Sequence, residues 1–284
     1  VDIHALTTLE ETGRLQKNIY EMMLDWLAIG LDPGKSILFV QSHVPEVMEL
    51  HTLLSMVTPL GWLLRVPTFK DKARLQPHNI NYGLVGYPVL MTADIVLYKA
   101  EVVPVGEDQL PHLELAREIA RRFNNLFGNT FPEPEAKLTT FPLILGLDGK
   151  EKMSKQLNND IEIALSDEET IERVKMAVTD PARRYRDDPG HPDICNIFSL
   201  HRYFNPLQLD EIASQCRTAK IGCVDCKLLL AQQINSTLKP FRERRAALDA
   251  KPRYITDVLA DGAQRARAIA METLREVKQK MGLI

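Results

Sequence analysis

The feature that most constrains the fold is a change in the pattern of apolar residues near Asn158. Before it, short apolar runs such as Ile37–Val40 and Val102–Val105 alternate with stretches in which apolar residues recur every three or four positions, over 12–29 and 109–123. Short apolar runs predict buried strands, and the longer spacing predicts the helices that cover them. The alternation therefore predicts an α/β domain over 1–158 with a Rossmann-like parallel sheet.

The residues after 158 contain no strand-like runs and predict helices. Ser166 and Glu169 have the spacing of a capping box, which predicts a helix that reaches about Val178. Further helices are predicted over 207–215, 226–248, 254–261 and 262–281. We therefore predict an all-helical domain over 159–284.

The two ends of the chain differ in what they predict. The first eight residues read as the end of a buried strand, so we expect further residues before Val1. Between Cys216 and Ile284 there are 14 Lys and Arg against 7 Asp and Glu, although the whole chain carries −3. A basic carboxy-terminal part predicts a polyanionic partner, and scattered charges on solvated helices are the alternative. No export signal or apolar run of membrane length is present, which predicts a soluble, cytoplasmic protein.

A loop of ten residues, Gly146–Lys155, joins the two predicted domains. Its glycines and its lack of apolar periodicity predict a mobile surface loop. When a nucleophile attacks the α-phosphate of ATP, negative charge accumulates on the departing pyrophosphate. Lys152 and Lys155, with Ser154 between them, can stabilise that charge. A solvated basic linker is the alternative interpretation.

A predicted helix carries a carboxylate in an apolar setting. Tyr87, Met91, Asp94 and Tyr98 are separated by four, three and four positions and share one helix face. Because its neighbours are apolar, the Asp94 carboxylate needs a hydrogen-bond partner. An indole N–H only donates, so Asp94 can accept from it while Tyr87 and Met91 pack against the ring. A structural aspartate bonded to a basic group or a backbone amide is the alternative.

Three stretches of the chain closely resemble bacterial tryptophanyl-tRNA synthetases, which are class I aminoacyl-tRNA synthetases. They are Gly86–Ile95, Val103–Gln109 and His112–Arg117, and the resemblance extends over essentially the whole chain. In addition, Lys152–Lys155 reads KMSK and resembles the second class I signature, whose usual fifth residue is serine where this chain has Gln156.

The resemblance implies a tryptophan–tRNA ligase that uses ATP with Mg²⁺ and transfers tryptophan to the 2′-hydroxyl of tRNA(Trp). It implies that Asp94 fixes the indole nitrogen, and that Gln109 and His4 hold the amino end of the substrate. The implied amino-acid pocket consists of Tyr87, Met91, Asp94, Val103, Val105, Gln109 and His4. The implied ATP-binding residues are Gly106, Asp108, Lys152 and Met153, and the implied catalytic residues are Lys152, Ser154, Lys155 and Lys72.

The same resemblance implies that the α/β part is the catalytic domain, incomplete at its amino terminus, and that 159–284 is the anticodon-binding domain. The earlier class I signature, a His-x-Gly-His-like element, precedes the family's equivalent of Asp2–Ala5. A natural chain that began at Val1 is therefore expected neither to bind ATP tightly nor to activate tryptophan. Family members are two-fold dimers, so a homodimer is also implied.

All four cysteines lie in the helical half, with the spacing C-x20-C-x6-C-x2-C. Cys223 and Cys226 are separated by two residues and can direct both thiolates to one metal, whereas nothing indicates a disulfide framework. With Cys195 and Cys216 they suit Zn²⁺ or an iron–sulfur cluster equally well, and unligated thiols are a third possibility. Some tryptophanyl-tRNA synthetases resemble this pattern closely, and the resemblance implies a [4Fe–4S] cluster with a structural role.

Two alternative functions remain open from the sequence. A tyrosyl-tRNA synthetase shares the architecture, although Met91 beside Asp94 favours a larger ring that only donates. A non-catalytic RNA-binding or regulatory paralogue would bind tRNA without activating tryptophan. Basic side chains on the predicted 226–248 helix are candidates for contacts with tRNA phosphates, and a solvated helix face is the alternative. They are Lys239, Arg242, Arg244 and Arg245.

Overall fold

The structure is a computed structural model that describes residues 1–8, 11–66, 69–70, 73–74, 77–138 and 144–284, without the side chain of Gln156. Its contacts divide the chain into two compact units. The first unit combines Val1–Pro142 with Leu248–Ile284, and the second unit is Leu143–Ala247. The boundary predicted at 158 concerns functional domains rather than contacts, and it stays a prediction.

Helices account for most of the regular structure in the described residues. In chain order they are α1 (Asp2–Ala5), α2 (Leu15–Ile29), α3 (Glu46–Ser55), α4 (Leu60–Leu63), α5 (Tyr82–Val96), α6 (Leu110–Phe127), α7 (Asp167–Met176), α8 (Asn196–Phe204), α9 (Leu209–Arg217), α10 (Cys223–Asp249) and α11 (Pro252–Lys280). The strands are β1 (Val102–Val105) and β2 (Glu135–Leu138). No helix in the described part of the chain is long and apolar enough to cross a membrane.

A parallel strand pair with an intervening helix confirms the predicted α/β class. β1 and β2 pair in parallel, with Val102 opposite Glu135 and Val105 opposite Leu138, and α6 connects them. Parallel neighbours need such a crossover because a short hairpin joins only antiparallel strands, and the chain must return to the same edge of the sheet before the second strand begins. The inward face of α6 is the predicted one, and its buried residues include Leu113, Ala116, Ile119 and Phe123.

The strand predicted at Ile37–Val40 is not formed. Val40 has an extended backbone, with φ −90° and ψ 130°, but the segment pairs with no strand among the described residues. An apolar run fixes burial, whereas a strand also requires a hydrogen-bonded neighbour.

The prediction that the first residues are the end of a strand was also wrong, because Asp2–Ala5 form one helical turn. The turn is held by side chains on both sides. The Asp2 carboxylate accepts a hydrogen bond from the Ser42 amide at 3.0 Å, and the Gln41 side-chain oxygen accepts one from the Ile3 amide at 3.1 Å. These bonds satisfy one amide of this turn and one amide of the neighbouring turn Gln41–His43, which short turns leave without partners.

The last helix is continuous, and the predicted break at Gly262 was wrong. A Cβ at this position would lie 1.8 Å from the carbonyl oxygen of Leu38. The glycine therefore permits a close approach between α11 and the 37–40 segment, and it does not end the helix. Beyond it, α11 contributes Ala266, Ala270, Leu274 and Val277 to the main core of the first unit.

The second unit has its own core between helices, as predicted for this part of the chain. Its capping box is confirmed: the Glu169 amide donates to Ser166 Oγ at 3.1 Å, and the Ser166 amide donates to Glu169 Oε2 at 2.9 Å. Its core is built from α7, α8 and α10 together with Leu147, and includes Val174, Ile197, Leu200, Leu230 and Ile234.

Candidate functional site

Asp94 lies on α5 in the first unit, and the structure gives it partners from two other segments. Gln41 Nε2 donates to Asp94 Oδ1 at 2.9 Å and to Oδ2 at 2.8 Å. His4 Nε2 lies 2.8 Å from Asp94 Oδ2. The carboxylate retains 22% of its side-chain exposure, so it is accessible from one side.

These bonds leave acceptor capacity on one oxygen of Asp94. A carboxylate has about four lone-pair positions, and Gln41 and His4 use one on Oδ1 and two on Oδ2. One position on Oδ1 thus remains for a further donor. The resemblance implies that His4 binds the amino end of the substrate, whereas in this structure the His4 ring contacts Asp94.

Gln41 is a site residue that sequence reasoning missed. Its side chain is buried, its amide N–H donates to Asp94, and its oxygen accepts from the Ile3 and His4 amides at 3.1 and 3.4 Å. It therefore fixes both α1 and the carboxylate. The available signal was a polar residue directly after the apolar run Ile37–Val40, because such positions lie at the edge of an α/β core.

The other predicted pocket residues form apolar walls in the same unit. Tyr87 is buried on α5, and its hydroxyl lies 2.8 Å from His112 Nε2. Met91, Val103 and Val105 are partly buried and pack against the main core of the unit. Along β1 these two valines are the partly buried residues and their neighbours are exposed. The predicted residues therefore do share one body with Asp94.

Buried groups near Asp94 keep their neutral forms. Burial raises the pKa of Tyr98, and the negative charges of Asp94 and Glu46 add to this effect. Burial lowers the pKa of His51, and nearby His4 adds to this effect, while the Gly86 backbone and Asp94 oppose it. Among the described residues, the Tyr98 hydroxyl has no hydrogen-bond partner. Tyr98 and His51 are thus neutral, weakly solvated groups near Asp94, and a low local polarity strengthens the electrostatic attraction between a carboxylate and a donor.

The residues predicted to hold the amino group and ATP begin where β1 ends. The turn Glu107–Gln109 follows Gly106, and Gln109 Nε2 donates to Asp108 Oδ2 at 3.0 Å. A Cβ at Gly106 would lie 2.7 Å from Asp108 Oδ1, so a larger residue at this position would displace the Asp108 carboxylate. Lys72, the other predicted phosphate ligand in this part of the chain, lies outside the described residues.

The loop that carries the predicted KMSK residues belongs to the second unit and has a defined turn. Leu145 and Lys152 form an antiparallel bridge, and the Gly146 amide donates to the Glu151 carbonyl at 2.9 Å. Gly149 closes the turn with φ +66°, a conformation that favours glycine.

Two polar side chains missed in the sequence hold this loop. Asn159 is buried; its Oδ1 accepts from the Ser154 amide at 2.7 Å, and its Nδ2 donates to Asp148 Oδ2 at 2.7 Å. Asp148 Oδ1 in turn accepts from the Lys150 amide at 2.9 Å. The Lys155 side chain remains 79% exposed, 3.9 Å from Glu162. The loop therefore presents Lys155 from a fixed base.

All four cysteines line one small cavity of the second unit. Asp180 and Arg183 line it as well, and the four are Cys195, Cys216, Cys223 and Cys226. Within the described ranges, no three His, Cys, Asp or Glu side chains are already arranged as metal ligands. The four cysteines therefore lie around one cavity, as predicted, but among the described residues their thiols are not close enough to form a set of metal ligands.

The thiols of this cavity are strongly affected by burial. Burial raises the pKa of Cys226 to about 12, and it also raises the pKa of Cys195 and Cys216. Repulsion between neighbouring thiolates adds to each increase, and the Arg183 guanidinium lowers the pKa of Cys216 and Cys226. A cation bound among the four sulfurs would reverse this balance and stabilise the thiolates.

A buried histidine is oriented toward one of these cysteines. His201 is fully buried, and its Nε2 lies 3.2 Å from the Cys226 carbonyl oxygen and 3.4 Å from Cys226 Sγ. Its Nδ1 lies 2.8 Å from Asn205 Nδ2. Because the Asn205 amide donates to Nδ1, the proton of the neutral ring resides on Nε2 and points toward Cys226. Burial lowers the pKa of His201, in keeping with a neutral ring.

Arg242, a candidate for phosphate contacts, is engaged inside the second unit instead. Its guanidinium donates to Asp167, to Asn235 Oδ1 at 2.8 Å and to Thr170 Oγ1 at 2.8 Å, and its side chain is only 15% exposed. It ties α10 to α7, so the prediction of an available phosphate ligand was wrong. Lys239 is 73% exposed and lies 4.0 Å from Glu243.

Comparison with known proteins identifies the family. Residues 1–239 match the family model for class I tRNA synthetases (W and Y). The tryptophan–tRNA ligase of Deinococcus radiodurans is 48% identical over 288 residues, which cover 100% of this chain and 87% of that protein. The tryptophan–tRNA ligase of Thermotoga maritima is 43% identical over 288 residues, covering 100% of this chain and 88% of that protein.

A solved structure agrees with the sequence relatives. The tryptophanyl-tRNA synthetase of Campylobacter jejuni, complexed with ADP and tryptophan, is 36% identical with a TM-score of 0.89. The match covers 99% of this chain and 88% of that one. The Asp94 pocket on a helix before a parallel strand pair, the KMSK turn and these matches lead to one conclusion: the chain belongs to the class I tRNA synthetases, in the bacterial-type tryptophanyl-tRNA synthetase group.

Proposed function

We propose that the chain is a tryptophan–tRNA ligase that activates L-tryptophan with ATP and Mg²⁺ and transfers it to the 2′-hydroxyl of tRNA(Trp). The observation that carries the proposal is the geometry of Asp94. Gln41 and His4 hold its carboxylate while one acceptor position on Oδ1 remains, and Tyr87 and Met91 stand on the same helix. The ligands named for the Campylobacter jejuni relative support the same assignment.

In the proposed pocket Asp94 accepts the indole N–H, and the apolar walls receive the ring. Gln41 contributes indirectly, because its two bonds keep the carboxylate from rotating. Val103 and Val105 form one wall, and Gln109 binds near the amino group, whereas His4 holds the Asp94 carboxylate. An ionised acceptor in a weakly solvated site discriminates strongly against a ring without a matching donor.

Catalysis in this proposal rests on position and charge rather than on a general base. The tryptophan carboxylate attacks the α-phosphate, and pyrophosphate leaves. Lys152, Ser154 and Lys155 of the KMSK turn, with Lys72, stabilise the charge on the departing group, and Gly106, Asp108 and Met153 contribute to the nucleotide site. Mg²⁺ neutralises phosphate charge when bound. Such preorganised cations act more strongly in the transition state than in the ground state.

Amino-acid-dependent ATP–pyrophosphate exchange tests this function and separates it from its rivals. In the full-length protein we expect exchange with tryptophan and not with tyrosine. We expect Asp94→Asn to lower kcat/KM for tryptophan about 100-fold, since a hydrogen bond to a charged group contributes about 1.5–3 kcal/mol. Glu101→Gln, an exposed carboxylate of the same unit, is the control. Preference for tyrosine would support the tyrosyl enzyme, and tRNA binding without any exchange would support the non-catalytic paralogue.

We also propose that the four cysteines hold a [4Fe–4S] cluster, with Zn²⁺ as the alternative. The residues fit such a group: four sulfur ligands line one cavity, and Gly190 leaves room for them, since a Cβ there would lie 2.4 Å from Cys216 Sγ. The cluster would neutralise the thiolates and connect the helices of this unit. Iron, acid-labile sulfide and zinc analysis of anaerobically purified protein distinguishes the two metals, and absence of all three would contradict the site.

The remaining parts of the proposal follow from the family resemblance. Residues 1–158 would form the catalytic domain and 159–284 the anticodon-binding domain, in a cytoplasmic homodimer. Sedimentation velocity at micromolar concentration tests the dimer, and a single monomeric species would contradict it.

A further inference from the structure

A short loop beside the four-cysteine cavity combines arginines with an exposed aromatic ring. This arginine–tyrosine loop, residues 183–188, reads Arg-Arg-Tyr-Arg-Asp-Asp. The Tyr185 ring is 75% exposed, the Arg186 side chain is 61% exposed, and Arg184 is exposed as well. Single exposed apolar residues are common on protein surfaces, so the exposure alone assigns no role. The hydrogen bonds of the loop add a second observation.

The loop has a fixed backbone despite its exposure. The Asp188 carboxylate accepts hydrogen bonds from the Arg184 amide at 3.1 Å and the Tyr185 amide at 2.8 Å. From the other side, an Arg183 N–H donates to the Arg186 carbonyl. These bonds hold Tyr185 at the tip before any partner arrives. A preformed contact surface loses less conformational entropy on binding than a flexible one.

Both ends of the loop are anchored at the four-cysteine cavity. Asp180 is buried and accepts from the Ala182 amide at 2.8 Å and from the His191 amide at 2.7 Å. At the other end, the Gly190 amide donates to the Cys216 carbonyl at 3.0 Å, and Gly190 lies directly against the Cys216 sulfur. The four-cysteine site and the tip of the loop are therefore linked within one unit.

The chemistry of the loop fits unpaired nucleotides. Aromatic rings stack on single-stranded bases, and guanidinium groups pair with phosphates. The charge is modest, because Arg186 lies 4.0 Å from Asp187, which is 97% exposed, and 3.8 Å from Asp225. A duplex, which is bound mainly through its phosphates and shape, suits this loop poorly. Stacking is thus the main expected interaction.

We propose that the arginine–tyrosine loop binds unpaired nucleotides of the tRNA substrate, with Tyr185 stacked on a base and Arg184 and Arg186 directed toward the flanking phosphates. This inference rests on the proposed function, since it requires a tRNA substrate. It assigns the tRNA contact to the tip of a loop held at the cysteine site rather than to the Arg242 face of α10.

The test compares tRNA binding with amino-acid activation in the same protein. Tyr185→Ala should weaken binding of a tRNA(Trp) transcript about tenfold, while Tyr185→Phe, which preserves the ring, should stay within about twofold. Tryptophan-dependent ATP–pyrophosphate exchange and the thermal unfolding temperature should not change. Tyr254→Ala, a 42% exposed tyrosine of the first unit, is the matched control. Arg184→Gln should lower the salt slope of log K by about 0.7.

Each outcome has one meaning. If the unmodified protein neither binds tRNA(Trp) nor supports tryptophan exchange, the proposed function fails. If the unmodified protein binds tRNA and Tyr185→Ala binds it equally well, only the assignment of the loop is overturned. If Tyr185→Phe is as defective as Tyr185→Ala, stacking is excluded as the source of the affinity.

Discussion

The carboxylate of Asp94 in the first unit and the four thiols of the second unit are both polar groups in apolar surroundings, yet their partners differ. Asp94 receives three hydrogen-bond contacts from Gln41 and His4. The protein alone therefore stabilises the charge of the carboxylate, and the pocket is preorganised for a donor from the substrate.

The thiols of the four-cysteine site receive much less from the protein. Burial and mutual repulsion raise the pKa of Cys226 to about 12, and the side-chain donors nearby are His201 and Arg183. Burial also raises the pKa of Cys195 and outweighs the backbone hydrogen bonds from Phe198 and Ile197, which lower it. Charged thiolates there would need a cation, because neighbouring side chains do not compensate them. Side chains thus complete the Asp94 site, whereas the cysteine site is completed by the group that it binds.

The largest expected effect comes from removing one thiol. Cys226→Ser should abolish stable metal binding, with iron or zinc content falling at least about tenfold, because three sulfur ligands leave the site incomplete. Metal analysis of purified protein measures this, and Val224→Ala, an exposed residue between Cys223 and Cys226, is the control. Full metal content in Cys226→Ser would contradict the contrast between the two sites.

Gln41→Leu tests whether side chains complete the Asp94 pocket. It removes both bonds from Gln41 to the carboxylate, so KM for tryptophan in ATP–pyrophosphate exchange should rise about tenfold, as expected for losing about 1.5 kcal/mol from a charged hydrogen bond. Gln264→Leu, at an exposed position on α11, should leave KM unchanged. An unaltered KM in Gln41→Leu would mean that His4 alone orients Asp94.

His201→Phe examines the small contribution that the protein makes to the thiol site. Loss of the Nε2–H donor to Cys226 should speed removal of the bound metal by a chelator about fivefold, which corresponds to about 1 kcal/mol for one hydrogen bond. His201→Gln retains an N–H donor and should resemble the unmodified protein. Equal removal rates for all three proteins would show that the sulfur needs no donor from His201.

The smallest effect is expected at Glu46, a buried carboxylate of the first unit. Burial tends to raise the pKa of Glu46, but hydrogen bonds and charge from Arg267 outweigh this and lower it below 4.5. The associated stabilisation is present above pH 4.5 and is lost as the pH falls through the lower folded pKa. Glu46→Gln should therefore make thermal stability less dependent on pH below 4.5. Glu49→Gln, which removes a more exposed ion pair on α3, should retain the full dependence.

Local features of the fold could be predicted because they depend on neighbours in the sequence. Gly30 ends α2 with φ +111°, and the Ser166–Glu169 capping box begins α7. The role of Gly262 could not be predicted in this way, because the residue that requires a glycine there is Leu38, whose carbonyl is far away in the chain. The sequence alone does not show whether a glycine in a helical pattern ends the helix or permits close approach of a neighbouring backbone.

The candidate site shows the same limit. Asp94 was identified from its apolar neighbours, whereas its partner Gln41 is 53 positions away, and the apolar run before Gln41 does not indicate which side chain it contacts. Asn159, which holds the KMSK turn through Ser154 and Asp148, was missed because its contacts arise only when the turn closes. The spacing of the cysteines predicted their convergence, but it gave no indication of His201.

The position of α11 has a consequence for the order in which the protein can fold during synthesis. The core of the first unit includes Ala266, Ala270, Leu274 and Val277, which leave the ribosome after every residue of the second unit. The nascent first unit must therefore wait with an incomplete core while 143–247 are translated. During that interval its exposed apolar surface can aggregate or be bound by chaperones. Slow translation of α11 would prolong this interval, and would therefore be more harmful than slow translation elsewhere.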